Sequence, residues 1–278
     1  IFLLYGLTGD KIPGEFGHPG IPINSFLGTL VITEGGLWGK LTGVSVSIVA
    51  VFVIFGAILN AGEAGQGFMN IAIAAAGRLK GGAAKVSVIS SALFGSISGS
   101  ASANVASTGM VTLPTMIKLG YSKKIAGAVE AVASTGGQIM PPLMGAGAFV
   151  MVELTGIPYS QIIIAAFIPA LLYFFAIWLG VNRYAELYDL KPYKVEMLPE
   201  ISTVIKTALF FLIPFSVLLA FMYSGYTPQF SAAIAILSGL ILLFFDINFN
   251  FNWKTTKTRI VNASLFAGRQ VSIIASII

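Results

Sequence analysis

The stretch that decides the fold is residues 86–117, VSVISSALFGSISGSASANVASTGMVTLPTMI, a run of 32 residues without a charge. A basic residue stands directly on each side, Lys85 before the run and Lys118 after it. In its middle, 13 of the 15 residues 95–109 are Gly, Ala, Ser, Thr or Asn. An apolar run with two basic ends and a centre of small residues predicts two short helices that enter a membrane and turn back.

The composition of the whole chain indicates that its main solvent is lipid. The 278 residues are 56% hydrophobic and 10% charged, with a mean hydropathy of +0.89, whereas a soluble domain carries about 25% charged residues. So few charges cannot cover the surface of a water-soluble protein of this size. We therefore predict an all-α polytopic membrane protein. A disordered chain and a nucleic-acid-binding module are excluded, since the chain is too apolar and its basic residues are too scattered.

The side of the membrane on which the flanking basic residues lie distinguishes two possible structures for the uncharged run. If a hairpin over residues 84–117 turns back inside the bilayer, the basic clusters on both of its sides lie in the cytoplasm, as the positive-inside rule requires. The alternative is one helix of small residues packed in a bundle, which would place one basic cluster outside. Half-helices of about 12 residues are about 18 Å long, roughly half of a hydrocarbon core of about 30 Å.

A second irregular segment interrupts the predicted helix 125–154. Residues 134–142 read STGGQIMPP, and both Gly-Gly and Pro-Pro destabilise a helix interior. A hairpin that faces a broken helix is a recurring arrangement in secondary transporters, because the half-helix ends present unpaired carbonyls to a cation and unpaired amides to an anion. A proline kink with a packing role alone is the alternative.

The other apolar runs divide the chain into three parts. Residues 1–40 are predicted to contain the end of a preceding span and a periplasmic connector, and residues 41–200 a first transport repeat. Within this repeat we predict a long helix over 41–76 and a span over 160–181. Residues 201–278 would hold two further spans and the start of a second repeat. Because the chain starts without Met and stops within an apolar run, we expect it to be an internal part of a longer polypeptide.

Three acidic residues inside apolar segments, Glu63, Glu130 and Glu153, are functional candidates by default. Glu63 follows Gly62 deep within the run 41–76 and is a candidate for a proton or cation site. Glu130 lies six residues after Lys124, and Glu153 lies three residues before Gly156, so we expect both to reach the membrane interface.

Several segments together resemble one known family. Residues 93–104, LFGSISGSASAN, resemble the hairpin tip of the large membrane subunit of tripartite ATP-independent periplasmic (TRAP) transporters. Residues 126–131, AGAVEA, and residues 134–142 resemble the broken helix that follows this tip. The Gly-Gly-Gln before Ile-Met-Pro-Pro is similar to the TAXI branch of the family. FGHPG at 16–20 and TEG at 33–35 are similar to a loop of fused TAXI-type permeases.

The resemblance implies a Na+-coupled permease that imports organic acids across a bacterial or archaeal inner membrane. A periplasmic solute-binding protein of the TAXI type would deliver the substrate, and a small membrane subunit is expected, fused N-terminally. No nucleic-acid partner is implied. Members of the family have two inverted repeats, each with a hairpin and a broken helix, and are thought to work by an elevator motion. Asn104 stands where other branches often carry Asp.

The matched positions define two sets of candidate residues. Carbonyls and hydroxyls expected to coordinate Na+ belong to Ser98, Gly99, Ser100, Ser134, Thr135, Gly136 and Gly137. Residues expected to face the substrate are Ser102, Asn104, Thr108, Gln138 and Pro141. Because this half of the site has no Arg, a bound cation and a helix dipole would have to offset the charge of the acid.

Other functions fit the same sequence less specifically. A Na+/dicarboxylate or citrate carrier that works without a binding protein shares these features, and the composition does not exclude a channel. An intramembrane enzyme or a membrane-anchoring subunit is disfavoured, because the chain has one His, no Cys and no paired acids at helical spacing in mid-span. We therefore expect no catalytic residues.

Overall fold

The computed structural model describes residues 2–34 and 36–277, and this part of the chain is predominantly helical. Its helices are α1 (Phe2–Thr8), α2 (Ile23–Val31), α3 (Lys40–Val44), α4 (Ala50–Ala61), α5 (Ala64–Ala76), α6 (Gly82–Ser98), α7 (Ala101–Lys118), α8 (Lys123–Thr135), α9 (Ala146–Thr155), α10 (Tyr159–Leu187), α11 (Ile201–Tyr223), α12 (Pro228–Leu242) and α13 (Trp253–Ile277). The described residues form no strand beyond an isolated bridge between Phe245 and Phe251. The predicted all-α class is confirmed.

Three helical segments are long and apolar enough to cross a membrane: Thr42–Ala61, Tyr159–Leu187 and Val195–Tyr223. The middle of α10 leaves large apolar side chains such as Phe167 and Leu172 exposed. Such a surface suits contact with lipid tails, which are as apolar as the side chains. The fold is therefore that of a polytopic membrane protein, as predicted.

The prediction of one long helix over 41–76 is wrong. A π-helical turn, Ser45–Val49, joins α3 to α4, and the helix then breaks between α4 and α5. At the break Gly62 is extended, with φ −88° and ψ −157°, and the next residue, Glu63, forms an ion pair with Arg259 of α13. The two halves have different neighbours, since α4 packs on α12 and α13 while α5 packs on α6 and α11.

Helix α10 begins within one residue of its predicted start at 160 but continues six residues beyond the predicted end at 181. Polar side chains in the added turns bond to one another. Asn182 donates to Glu186 over 2.6 Å, and Arg183 pairs with Glu186 at 3.0 Å. The helix thus extends beyond its apolar run because these side chains support its last turns.

Helices α6 and α7 form an antiparallel hairpin, close to the predicted range 84–117. Gly99 and Ser100 join them, and Gly99 has the left-handed φ of +58° that glycine adopts without strain. At the open end, the Tyr121 hydroxyl donates to the carbonyl oxygen of Gly81 over 3.1 Å. Burial raises the pKa of Tyr121 to about 12, so the phenol stays neutral and can donate. The alternative of one continuous helix is wrong, because the chain reverses at Gly99.

The basic residues that flank the hairpin lie together at this open end. Lys118 is the last residue of α7 and is exposed. Lys85 lies in the first turn of α6 and is buried. Its Nζ donates to Asn182 Oδ1 over 2.6 Å and lies 5.2 Å from the centre of the Trp178 ring. Lys85 therefore attaches the base of the hairpin to α10.

Apolar packing holds the hairpin along its whole length. Around the tip, Phe94 and Ile97 of α6 belong to a buried cluster with Phe52, Phe55 and Phe68. A second buried cluster surrounds the base and contains Val86, Val88, Met116, Tyr121 and Ala126. The position of the tip is thus fixed by contacts at both ends of the hairpin.

Candidate functional site

The hairpin tip places the end of α6 against the start of α7. A Cβ atom at Gly99 would lie 1.8 Å from the carbonyl oxygen of Met144, so only glycine fits at this close approach. Ser100 is the N-cap of α7, and its hydroxyl accepts a bond of 3.3 Å from the amide of Ala103. The hydroxyls of Ser100 and Ser102 are 3.2 Å apart. The tip therefore combines a helix C-terminus, a helix N-terminus and three serine hydroxyls, the third from Ser98.

The predicted broken helix is present and faces this tip. Helix α8 ends at Thr135, a 3₁₀ turn covers Gly136–Gln138, and helix α9 begins only at Ala146. The non-helical residues bond to the hairpin and to themselves. The Leu143 amide donates to the carbonyl of Ser96 over 3.2 Å, and the Gly145 amide donates to the carbonyl of Gln138 over 2.7 Å. Part of the irregular backbone is thus satisfied by protein, as a membrane interior requires.

The hairpin and the broken helix approach each other through two glycines. A Cβ atom at Gly95 would lie 2.2 Å from the Cα of Gly137. Beside this contact, the Asn104 side-chain amide donates to the carbonyls of Ser91, at 2.9 Å, and Ser134, at 3.3 Å. Asn104 is fully buried, and its Oδ1 atom has no hydrogen-bond partner among the described residues. A buried oxygen without a hydrogen-bond partner can be satisfied by a bound cation or an ordered water.

Below the tip, a cluster of side-chain oxygens surrounds Glu130, which is buried with 1% of its surface exposed. The expectation that Glu130 reaches the interface is wrong. Its Oε1 accepts from Thr108 at 2.5 Å and from Ser134 at 3.4 Å. Its Oε2 accepts from Ser87 at 2.8 Å and from Thr112 at 2.5 Å. We name this group, with Ser91, the Glu130 cluster; its members are Ser87, Ser91, Thr108, Thr112, Glu130 and Ser134.

Sequence reasoning missed this cluster, although a signal is present. The six residues form three pairs at a spacing of four, one pair on each of α6, α7 and α8. Residues four apart on a helix share a face, so each helix offers one short polar stripe. The sequence alone does not show that the three stripes face one another.

A cavity of about 1030 Å³ opens beside the hairpin tip. Its polar lining comes from the tip serines Ser98 and Ser100 and from Gln138, Gln161 and Gln270. The rest of the wall is mainly apolar and includes Phe52, Met144 and Phe149. No Lys, Arg, Asp or Glu occurs among the described lining residues. The cavity can therefore hold a small molecule with an apolar part, held by neutral polar groups at one end.

The structure divides the predicted cation ligands into separate groups. Ser98, Gly99 and Ser100 lie at the tip and line the cavity. Ser134 and Gly137 face the hairpin instead, at Ser91 and Gly95 respectively. Thr135 is exposed and donates to the carbonyl of Ala131, and Gly136 faces the rings of Tyr173 and Phe174. The seven predicted ligands therefore do not surround one point.

The predicted substrate residues are similarly divided. Gln138 lines the cavity, and Ser102 is exposed beside Ser100. Asn104 and Thr108 are buried between the helices, away from the cavity lining. Pro141 is buried and precedes Pro142 in a cis peptide bond. Glu63, another acidic candidate, is partly buried and bonded to Arg259, and the side chain of Glu153 lies outside the part of the chain that the structure describes.

Comparison of the sequence with known proteins identifies related families and proteins. The family described as "Tripartite ATP-independent periplasmic transporter, DctM component" matches residues 2–277. A C4-dicarboxylate TRAP transporter large permease protein of Pseudomonas aeruginosa is 27% identical over 195 residues, which are 69% of this chain and 45% of that protein. The corresponding protein of Vibrio cholerae is 28% identical over 202 residues, 71% of this chain and 43% of that protein.

An ectoine TRAP transporter large permease protein of Halomonas elongata is also similar, with 30% identity over 128 residues, 46% of this chain and 30% of that protein. The chain spans about half the length of the curated relatives it matches first. The family match covers nearly the whole chain, and the hairpin opposite a broken helix agrees with the resemblance drawn from residues 93–104 and 134–142. The chain therefore belongs to the family of large permease subunits, the DctM components, of tripartite ATP-independent periplasmic transporters.

Proposed function

We propose that this chain forms half of a Na+-coupled secondary transporter, which imports small organic acids delivered by a periplasmic binding protein. The observation that carries the proposal is the hairpin tip, where the end of α6 and the start of α7 meet a broken helix at the wall of the cavity of about 1030 Å³. Paired half-helix ends at a cavity are typical of sites that bind a substrate and a coupling ion together.

The charge of the site supports coupling to a cation. A carboxylate in the cavity would meet no Lys or Arg among the described lining residues. Its charge would be offset in part by the N-terminal dipole of α7, whose first amides lie at Ser100–Ala103, and in part by a bound cation. Transport of the acid would then require the ion, since the substrate alone would leave an uncompensated charge in a site of low polarity.

The residues present fit a bound Na+. Hard cations of this size take neutral and anionic oxygen ligands, and the contact between hairpin and broken helix is rich in them. It contains Asn104 Oδ1, which has no hydrogen-bond partner within residues 2–34 and 36–277, together with the hydroxyls of Ser91 and Ser134 and the carboxylate of Glu130. Ser98, Gly99 and Ser100 supply further oxygens at the tip itself. Na+ would contribute positive charge next to the substrate and would need no catalytic chemistry, so we propose that the chain is not an enzyme.

The proposed membrane arrangement follows the basic residues. The open end of the hairpin, with Lys85 and Lys118, would lie at the cytoplasmic face of a bacterial or archaeal inner membrane, and the tip would lie inside the bilayer. Residues 41–200 would form the first of two inverted repeats, and residues 201–278 would lead into the second. The partners we propose are a TAXI-type solute-binding protein and a small membrane subunit, fused N-terminally.

Reconstituted uptake tests the proposal. The purified full-length protein, placed in proteoliposomes with its binding protein, is given a panel of radiolabelled carboxylates with and without an inward Na+ gradient. We expect saturable uptake that needs both the gradient and the binding protein. Uptake that needs Na+ but no binding protein would favour the simpler carrier, and non-saturable flux would favour a channel. Gln138→Ala should raise the substrate concentration for half-maximal uptake, because Gln138 lines the cavity.

A further inference from the structure

We propose that the Glu130 cluster is a cation site in its own right, located below the hairpin tip and built around a buried carboxylate. This inference rests on the proposed function and deepens it, because it assigns the coupled Na+ to a group in which Ser134 is the one member that the resemblance implied as a ligand. Ser87, Ser91, Thr112 and Glu130 lie outside the predicted ligand set, and Thr108 was expected to face the substrate.

Four oxygens of the cluster form a closed ring. The hydroxyl oxygen of Ser91 lies 3.4 Å from that of Thr108 and 3.4 Å from that of Ser134. The ring closes through Glu130 Oε1, which is 3.4 Å from the Ser134 hydroxyl and 2.5 Å from the Thr108 hydroxyl. The four members come from three helices, since Ser91 lies on α6, Thr108 on α7, and Ser134 and Glu130 on α8.

Three sides of this ring are longer than good hydroxyl hydrogen bonds, which measure about 2.5–3.0 Å. They match the spacing of ligands around an ion. A cation that keeps its oxygens about 2.4 Å away, as Ca²⁺ and the similarly sized Na+ do, holds neighbouring ligands at right angles about 3.4 Å apart. Mg²⁺, at about 2.1 Å, would need sides of about 3.0 Å. The fourth side is a hydrogen bond by which Thr108 orients the carboxylate.

The burial of Glu130 also favours a cation beside it. The carboxylate is 1% exposed, and no Lys, Arg or His is paired with it in the part of the chain that the structure describes. Its contacts there are hydroxyl groups, which carry no charge. A buried carboxylate of this kind inside a membrane protein is costly unless it is neutralised. A monovalent ion would balance the single negative charge of an ionised carboxylate without surplus.

A second observation points to the same place. The side chain of Asn104 bonds to the backbone carbonyls of Ser91 and Ser134, which are both ring members. Its Oδ1 atom is buried and has no partner among the described residues. Asn104 therefore brings an unused oxygen to the contact that carries the ring, where a bound ion or its water would satisfy it.

Such a site would connect ion binding to the shape of the tip. The ion would join both hairpin helices to α8, next to the place where Gly95 meets Gly137. From Gly137 the chain continues directly to Gln138, which lines the cavity. A bound ion would thus hold the hairpin and the broken helix in the relative position that shapes the cavity wall.

Na+ binding to the purified full-length protein in detergent tests this site directly. Isothermal calorimetry and Na+-dependent thermal stabilisation are measured in a choline background for the wild type, Glu130→Gln and Ser91→Ala. Each variant should bind Na+ at least about tenfold more weakly. Mutation of a residue that only supports a metal ligand typically lowers metal affinity by about 10–100-fold, so loss of a ligand should cost at least the smaller of these values. The matched control is Ser90→Ala, because Ser90 is also a buried serine of α6 but bonds to the carbonyl of Ser87. It should bind Na+ as the wild type does.

The outcomes separate this inference from the proposed function. If wild-type uptake depends on Na+ but Glu130→Gln and Ser91→Ala keep the wild-type affinity and number of ions, the Glu130 site is wrong and the proposed function stands. If uptake by the wild type does not depend on Na+, the proposed coupling is itself wrong. If Glu130→Gln does not fold, Ser91→Ala decides alone, since it removes one oxygen atom. Glu130→Gln could also bind Na+ normally but change the pH dependence of uptake. Glu130 would then bind a proton during transport, and the proposed Na+ site would be wrong.

Discussion

The close contact between Gly95 and Gly137 leaves no room for a larger residue at position 95. In Gly95→Ala the new Cβ atom would lie 2.2 Å from the Cα of Gly137. To reach a normal carbon–carbon distance of about 3.5 Å, the hairpin and the broken helix must separate by about 1.3 Å. Both atoms in the clash are fixed to backbone, so no side-chain rotation relieves it.

The expected cost follows from two opposing effects. Overpacking costs about 1–3 kcal/mol, and a rigid backbone clash belongs at the upper end of that range. Replacing Gly by Ala within a helix stabilises the helix by about 1 kcal/mol. We expect a net loss of about 2 kcal/mol, and at about 2–4 °C per kcal/mol for a chain of this size the apparent Tm should fall by about 4–8 °C.

Gly127→Ala is the matched control, because Gly127 also lies within a helix but has open space where the Cβ atom would be placed. This variant should gain about 1 kcal/mol from helix propensity alone. Thermal unfolding in detergent and Na+-driven uptake are measured for both variants. Equal stability and activity of Gly95→Ala and Gly127→Ala would show that this close approach of the two backbones is absent.

Two further predictions concern contacts far from the tip. Glu63→Gln or Arg259→Met should each destabilise the protein by about 2 kcal/mol, between the values for exposed and buried ion pairs. The exchange Glu63→Arg with Arg259→Glu should recover part of that loss in thermal unfolding; no recovery would show that the pair adds nothing. Tyr121→Phe should cost about 1 kcal/mol and speed hydrogen exchange at the open end of the hairpin, where the hydroxyl bonds to Gly81. Wild-type exchange rates there would contradict this role.

The hairpin and the broken helix could be predicted because their signals are local. The basic residues on both sides of residues 86–117 fix where the chain must return, and the small residues in the middle mark the turn. Pro141 and Pro142 cannot continue a helix, so the break near 136–145 also follows from residues that lie within it.

The features that were missed depend on partners distant in sequence. The break after Gly62 is stabilised by Arg259, which is 196 residues away from Glu63, so the run 41–76 reads as one helix. Likewise, Glu130 is buried because hydroxyls of the hairpin surround it, while the nearby Lys124 suggested an interface. The difference between Gly136 and Gly137, which face opposite neighbours, depends on the local 3₁₀ turn.

Residues 86–117 should enter the membrane and return to the face that they left. Because the chain has no native cysteine, single cysteines can be placed at the exposed positions Lys80→Cys and Lys118→Cys and labelled with a membrane-impermeant maleimide. Thr155→Cys, at the exposed C-terminal residue of α9, is the reference for the opposite face. We expect Lys80→Cys and Lys118→Cys to be labelled from one and the same side and Thr155→Cys from the other. Labelling of Lys80→Cys and Lys118→Cys from opposite sides would contradict it.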